Sequence, residues 1–147
     1  MIRGALLLAL ALLAGCRDSP QEVLEEASEA AARGDLVAVE ALFSVHTVQR
    51  LERAWELAHT PRARAWQDLA DKLTFDGRPL EVREASIRGA YAQVMARAGA
   101  TERDYYLRKE DGRWRLELGA GTRWRRLAPA RPPAAASEKA PTRDAGP

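Results

Sequence analysis

The apolar residues of this chain follow two different spacings, one in each half, and this change most constrains the fold. Over residues 20–73 they recur every three or four positions, as on one face of an α-helix. Over residues 80–118 apolar and polar residues alternate, as in half-buried strands. The turn sequence at 75–79, Phe-Asp-Gly-Arg-Pro, separates the two patterns. We therefore expect an α+β domain with N-terminal helices packed on one face of a curved antiparallel four-stranded sheet.

Residue types that begin helices predict four helices before that turn. Ser19 is expected to cap the first helix, with Glu22 placed to complete a capping box. Asp35 is expected to cap the second helix and Thr47 the third, and Pro61 is expected to open the fourth.

Alternation predicts four strands, over residues 80–88, 91–97, 103–110 and 113–118. An Asp-Gly pair at 111–112 lies between the last two and suits the positive φ angles of a two-residue hairpin turn. Such a turn predicts these cross-strand pairs: Glu110 with Arg113, Lys109 with Trp114, Arg108 with Arg115, and Leu107 with Leu116. The two facing arginines should repel each other. Either Glu117 screens them, the loop is longer, or they bind an anion.

The N-terminus has the three parts of an export signal. Arg3 supplies a positive charge, residues 6–13 are all Leu or Ala, and Leu13-Ala14-Gly15-Cys16 forms a lipobox. The apolar stretch is too short to span a bilayer, for which a helix needs about twenty residues. We expect residues 1–15 to be a signal peptide cut between Gly15 and Cys16, and Cys16 to carry acyl chains. The alternative is an ordinary signal peptide in which the cysteine is accidental.

A lipid anchor would place the protein in the cell envelope. Arg17, rather than an aspartate, follows the cysteine, which favours the outer membrane, facing the periplasm, over the inner membrane. Of the 23 Lys and Arg residues, 22 remain without Arg3, against 21 Asp and Glu. This near-neutral balance gives no reason to expect nucleic-acid binding. Cys16 is the only cysteine, so an intrachain disulfide is excluded.

Composition divides the remainder into a domain and a tail. Residues 16–18 form a short linker, and residues 19–127 have the length of one domain. Residues 128–147 are rich in Pro and Ala and lack aromatic side chains, so they are expected to be a disordered tail. The alternative is a tail that binds a partner or spans the cell wall. His46 and His59 are the only histidines, and their spacing predicts surface or capping roles rather than a metal site. No cofactor is expected.

An aromatic and basic concentration marks the end of the domain. Its members are candidates for a surface that contacts anionic lipid: Arg113, Arg115, Arg123, Trp124, Arg125 and Arg126. The alternative is that Trp114 is a core residue and the arginines form a solvated face. Trp55 and Trp66 lie on apolar helical stripes and are expected in the core.

Three short motifs resemble those of small bacterial lipoproteins of the NTF2-like (cystatin-like α+β) superfamily. They are Ala-Arg-Gly-Asp at 32–35, Leu-Phe-Ser at 42–44 and the hairpin at 109–116. The resemblance implies a cone whose interior, between sheet and helices, can hold a small apolar ligand. Some relatives are isomerases or cyclases that use a pocket carboxylate as base and a tyrosine as oxyanion donor. Here those groups would be Asp104 or Glu84 with Tyr91, Tyr105 or Tyr106.

The leading functional expectation is a non-catalytic domain that binds a partner protein in the envelope. A carrier of a small apolar ligand is the second hypothesis, and an isomerase-like or cyclase-like enzyme is the third. An interior filled by Trp and Leu would favour the first, and an open apolar cone the second. A buried carboxylate facing a tyrosine hydroxyl would favour the enzyme.

Overall fold

The domain contains four helices, a small hairpin, a four-stranded sheet and a fifth helix, in that order. The computed structural model describes residues 19–127; the predicted signal peptide, Cys16, the linker and the tail lie outside them. The helices are α1 (Pro20–Ala32), α2 (Leu36–Ala41), α3 (Val45–Leu57), α4 (Arg62–Asp71) and α5 (Gly121–Leu127). The strands are β1 (Thr74–Phe75), β2 (Arg78–Pro79), β3 (Glu81–Arg88), β4 (Tyr91–Ala98), β5 (Thr101–Glu110) and β6 (Arg113–Leu116).

The main sheet is an antiparallel meander in the order β3-β4-β5-β6, and β1 and β2 pair separately. Helices followed by a four-stranded antiparallel sheet confirm the predicted α+β class. The predicted register of the last hairpin is also confirmed, including Arg108 opposite Arg115. Asp111 and Gly112 have φ angles of 48° and 78°, so the turn has two residues with positive φ. The longer loop proposed to separate the arginines is therefore wrong.

The strand β5 is longer than the partner strand on its outer side. β6 pairs only with residues 107–110 of β5, whereas β4 pairs with residues 101–108. The outer edge of β6 is covered by the segment 42–44, because Ser44 N–H donates to the carbonyl of Leu116 (2.9 Å) and Leu116 N–H to that of Leu42 (2.8 Å). Within residues 19–127, residues 101–105 therefore have a strand neighbour on one side only.

Helix α1 packs on one face of the sheet, α2 and α4 pack against α1, and large side chains from these helices and from the sheet form one core. Trp66 on α4 is 1% exposed and meets Phe43 and Trp55 edge to face, with ring centroids 5.6 and 5.3 Å away. Leu107 on β5 and Trp114 on β6 are buried from the sheet side. Burying one such side chain contributes about 1.5–3 kcal/mol. The expected core roles of Trp66 and Trp114 are confirmed, and Trp55 is half-buried at the edge of the core.

The helix α5, which sequence patterning did not predict, covers part of the opposite face of the sheet. Trp124 is its one buried side chain and lies 4.4 Å beneath the guanidinium of Arg88. Gly121 approaches Tyr106 so closely that a Cβ there would lie 3.0 Å from the tyrosine ring. With only one apolar anchor in a short arginine-rich segment, this helix has no periodic apolar stripe to reveal it.

Two predicted side-chain caps are wrong and one is confirmed. Ser19 stands at the start of α1 but makes no capping bond; its hydroxyl donates to the Gln21 side chain instead (2.9 Å). α3 begins before Thr47, with Ser44 as its cap, because Ser44 Oγ accepts the Thr47 N–H (3.1 Å). Asp35 caps α2 as predicted, accepting the Ala38 N–H at 3.1 Å.

Candidate functional site

A buried carboxylate, Glu117, lies where the last strand meets the first turn of α3. Its own N–H donates to the carbonyl of Tyr106 (2.8 Å), which continues the strand pairing just beyond β6. Its side chain is 4% exposed, and Oε2 accepts hydrogen bonds from the hydroxyls of Ser44 and Thr47, the latter at 3.2 Å. Both hydroxyl-bearing residues are fully buried. The carboxylate therefore joins α3 to the sheet.

The first turn of α3 suits this carboxylate electrostatically. Unpaired N–H groups and the helix dipole make a helix N-terminus favourable for negative charge. His46 Nδ1 lies 3.5 Å from Oε1 of Glu117, and the imidazole is half-exposed. The Thr47 hydroxyl also accepts the Leu118 N–H (3.2 Å). Each oxygen of Glu117 thus faces a protein group, as buried charges require.

The groups predicted as catalytic candidates do not converge on a buried acid–base pair. Asp104 on β5 and Glu84 on β3 are both exposed. The Tyr91 hydroxyl accepts a hydrogen bond from Arg123 (3.4 Å). The predicted role of Glu117 as a screen for the arginine pair is wrong, because its carboxylate points to the start of α3. The one sequence feature that could have indicated its buried position is that this charged residue stands between two leucines, Leu116 and Leu118.

An open cleft of about 580 Å³ adjoins Glu117, between the end of α4 and the outer part of β5. Its apolar wall consists of Phe43, Leu69, Leu73, Leu116 and Leu118. Polar groups of Lys72, Arg103 and Asp104 stand at its rim. The cleft can therefore take apolar side chains of a ligand while polar groups remain near water.

Two tyrosines line the same cleft. The Tyr105 hydroxyl donates to the carbonyl of Lys72 (2.8 Å), which ties β5 to the end of α4. Burial raises the pKa of Tyr105 above its usual value, and a hydrogen bond with Arg103 offsets part of this. Burial also raises the pKa of Tyr106, helped by the negative charge of Asp104 and opposed by Arg125. Both tyrosines are therefore neutral hydrogen-bonding groups at neutral pH.

The predicted lipid-facing residues occupy different environments. The exposed members are Arg113, Arg123, Arg125 and Arg126. Arg115 is half-buried and donates to the carbonyl of Ala41. Trp124 is 5% exposed, because its ring packs against the outer face of the sheet below Arg88. The indole therefore cannot enter a membrane interface, and only the arginines remain available there.

Cross-strand pairing concentrates positive charge at one end of this outer face. Arg88, Tyr91, Arg108 and Arg115 are successive partners across the four strands. Directly opposite residues lie on the same face. Among the described residues, Arg108 forms no ion pair that would neutralise it. Arg115 directs its guanidinium to the carbonyl of Ala41, so the binding of an anion by the facing pair stays a prediction.

The two histidines lie too far apart to bind the same metal ion. His46 is in the first turn of α3, and His59 follows its end with a φ of 51°. At a rise of about 1.5 Å per residue they are about 20 Å apart. Within residues 19–127, no three His, Cys, Asp or Glu side chains form a group that could hold a metal ion.

No known protein family, curated protein or solved structure matches this chain. In the part of the chain that the structure describes, no helix is both long enough and apolar enough to cross a bilayer. The described residues offer three features that could serve a function: the cleft, the buried carboxylate and the charged outer face.

Proposed function

We propose that this chain is a lipid-anchored protein of the bacterial envelope whose single NTF2-like domain binds a partner protein without catalysing a reaction. The packed interior supports this proposal: within residues 19–127, Trp66 and Leu24 from the helices and Leu107 from the sheet are buried together in one apolar core. Binding would then use surface features, among them the cleft beside β5 with its apolar wall. A protein partner can cover such an open cleft together with its polar rim.

A carrier of a small apolar ligand is the second candidate, favoured by the volume and the apolar wall of that cleft. The cleft is open along one side, whereas small-ligand sites bury about 70–90% of the ligand surface. An isomerase-like reaction has less support. Glu117 would have to give up the hydroxyls of Ser44 and Thr47 before it could accept a proton from a substrate.

Site-specific cross-linking in cells tests partner binding. A photoreactive residue replacing Arg103, at the rim of the cleft, should yield one discrete protein adduct. The matched control replaces Val37, whose exposed fraction is 80% and which lies away from the cleft on α2. Equal adducts at the two positions, or none at Arg103, would contradict the proposal.

The lipid anchor has its own test. The lipobox predicts that labelled fatty acid enters the wild-type chain and is lost in Cys16→Ser. Arg17→Asp should keep the label, because it leaves the lipobox intact, and should move the protein toward the inner membrane in a host that uses that sorting signal. Labelling of Cys16→Ser would refute the attachment site.

The arginines of the outer face are proposed to contact anionic headgroups beside the anchor. Positive side chains near such a surface contribute about 1 kcal/mol each, and salt weakens the attraction. Arg123→Glu should reduce co-sedimentation with vesicles containing anionic phospholipid, whereas Arg53→Glu, an exposed change on α3, should affect it less. Equal losses in both variants would show that the effect is one of net charge only.

A further inference from the structure

The outer edge of β5 carries unpaired backbone groups next to the cleft. The bond from Glu117 N–H to the Tyr106 carbonyl shows that Tyr106 directs its backbone groups away from β4. In an antiparallel strand this direction repeats at every second residue, so the N–H and C=O of Asp104 and Glu102 point the same way. Within residues 19–127 no strand pairs with them there, and both residues are exposed.

The two faces beside this edge differ in chemistry. Glu102 and Asp104 share the outer face with Tyr106, since alternate residues of a strand lie on one side. On the inner face lies the cleft with its wall of Leu69, Leu73 and other apolar side chains. A strand added at this edge would therefore meet the carboxylates of Glu102 and Asp104 on the outer side, with Arg97 of β4 opposite Glu102. On the inner side it would meet the apolar wall together with Arg103.

A second copy of this chain is a poor occupant of the edge. Two copies of β5 related by a twofold axis would pair in an antiparallel way, with residues of the same face opposite each other. Every register in which the unpaired backbone groups of the two copies bond to each other then places two carboxylates directly opposite. Either Glu102 of one copy faces Asp104 of the other, or one of these residues faces the same residue of the other copy. Like charges directly opposite destabilise a pair of strands, and charged edges of this kind oppose self-association.

We propose that the edge of β5 at residues 101–105 binds an extended segment of the partner protein as an added strand, with Lys or Arg alternating with apolar residues. The backbone of the segment would form hydrogen bonds with the N–H and C=O groups of Glu102 and Asp104. Its cations would face these two carboxylates, and its apolar side chains would enter the cleft. This inference rests on the proposed partner binding and names the chemistry of the partner segment.

Synthetic peptides test the edge directly. The probe is a fluorescent peptide of about seven residues alternating Val and Lys, long enough at about 3.3 Å per residue to cover the open edge. A second peptide alternates Val and Glu, and a third is the Val/Lys peptide with N-methyl groups at alternate amides. Anisotropy is measured on the full chain, purified from membranes in non-ionic detergent. Only the Val/Lys peptide with free amides should bind.

A charge reversal supplies the matched variant. Asp104→Lys should weaken binding of the Val/Lys peptide about tenfold and should allow the Val/Glu peptide to bind, because the reversal replaces attraction by repulsion. Glu84→Lys makes the same change of net charge on β3 and should leave both affinities unchanged. Asp104 is exposed and lies opposite Met95, so its replacement should leave the fold intact.

Three results would overturn the edge proposal: no binding of the Val/Lys peptide, equal binding of the N-methylated peptide, or equal losses in Asp104→Lys and Glu84→Lys. Cross-linking to the native partner distinguishes a failure of the edge proposal from a failure of the proposed function. A partner that cross-links at Arg103 equally in wild type and Asp104→Lys would refute the strand edge and preserve partner binding. Absence of any cross-linked partner would refute partner binding itself.

Discussion

Removing the carboxylate of Glu117 should be among the most damaging single changes to this domain. Glu117→Ala leaves the hydroxyls of Ser44 and Thr47 fully buried without their acceptor. Hydrogen bonds to a charged group contribute about 1.5–3 kcal/mol each, partly offset because the charge itself no longer has to be buried. We expect the free energy of unfolding to fall by about 3 kcal/mol, out of the roughly 5–15 kcal/mol typical of a domain.

Urea unfolding of the full chain, followed by fluorescence of its buried tryptophans, measures this loss. Glu110→Ala is the matched control, since Glu110 is half-buried and accepts one N–H, from Val45, at 3.3 Å. It should lose no more than about 1 kcal/mol. A Thr47→Val variant should cost much less in the Glu117→Ala background than in wild type. Equal losses for Glu117→Ala and Glu110→Ala would refute the anchoring role of Glu117.

Three further tests address other parts of the structure. Gly99→Ala and Gly112→Ala both place a side chain at positive φ, at about 1–2 kcal/mol. The new Cβ at Gly99 would also lie 2.5 Å from the Phe75 ring, so Gly99→Ala should lose more stability, and Phe75→Ala should remove that difference. The raised pKa of Tyr105 means that the folded state holds its proton more tightly than the unfolded state. The stability that this proton adds to the folded state is complete below the pKa of an unfolded tyrosine, about 10, and is lost as pH rises through the higher pKa of the folded state. In urea titrations, the free energy of unfolding of Tyr105→Phe should therefore fall less at alkaline pH than that of the wild type. Trp66→Ala should lower the unfolding free energy by about 3–5 kcal/mol in the same assay, because the emptied space lies in the core.

The turn and register of the last hairpin could be predicted because their determinants are local. An Asp-Gly pair sets a two-residue turn, and that turn alone sets every pair along both strands. Even the unfavourable pair Arg108 and Arg115 occurs as predicted. The helices before it were predicted in order for a similar reason, since apolar spacing every three or four residues depends only on neighbours along the chain.

The role of Glu117 could not be predicted, because its partners lie about seventy positions earlier in the chain, at Ser44 and Thr47. No spacing rule connects residues so far apart. The same contact explains the misplaced start of α3: Thr47 has the composition of a cap, yet its hydroxyl is used by Glu117. Capping preferences describe isolated helix ends, and a tertiary contact overrides them here.

The open edge of β5 could not be predicted from the sequence for a different reason. Alternation indicates where strands lie, yet it does not indicate where two paired strands part. β6 ends its pairing with β5 because the chain after Glu117 turns toward α3, where Leu118 N–H donates to Thr47. The predicted strand over 113–118 was accordingly longer than the observed Arg113–Leu116. Because β6 is shorter than β5, residues 101–105 of β5 lack a strand neighbour on that side, and the cleft lies beside them.

Native mass spectrometry of the mature protein, extracted gently from the cells that make it, tests the central proposal most directly. We expect a second protein bound to the chain at fixed stoichiometry, together with the added mass of acyl chains on Cys16. A chain that carries only a small-molecule mass would contradict partner binding and favour the carrier, and a bare monomer would contradict both.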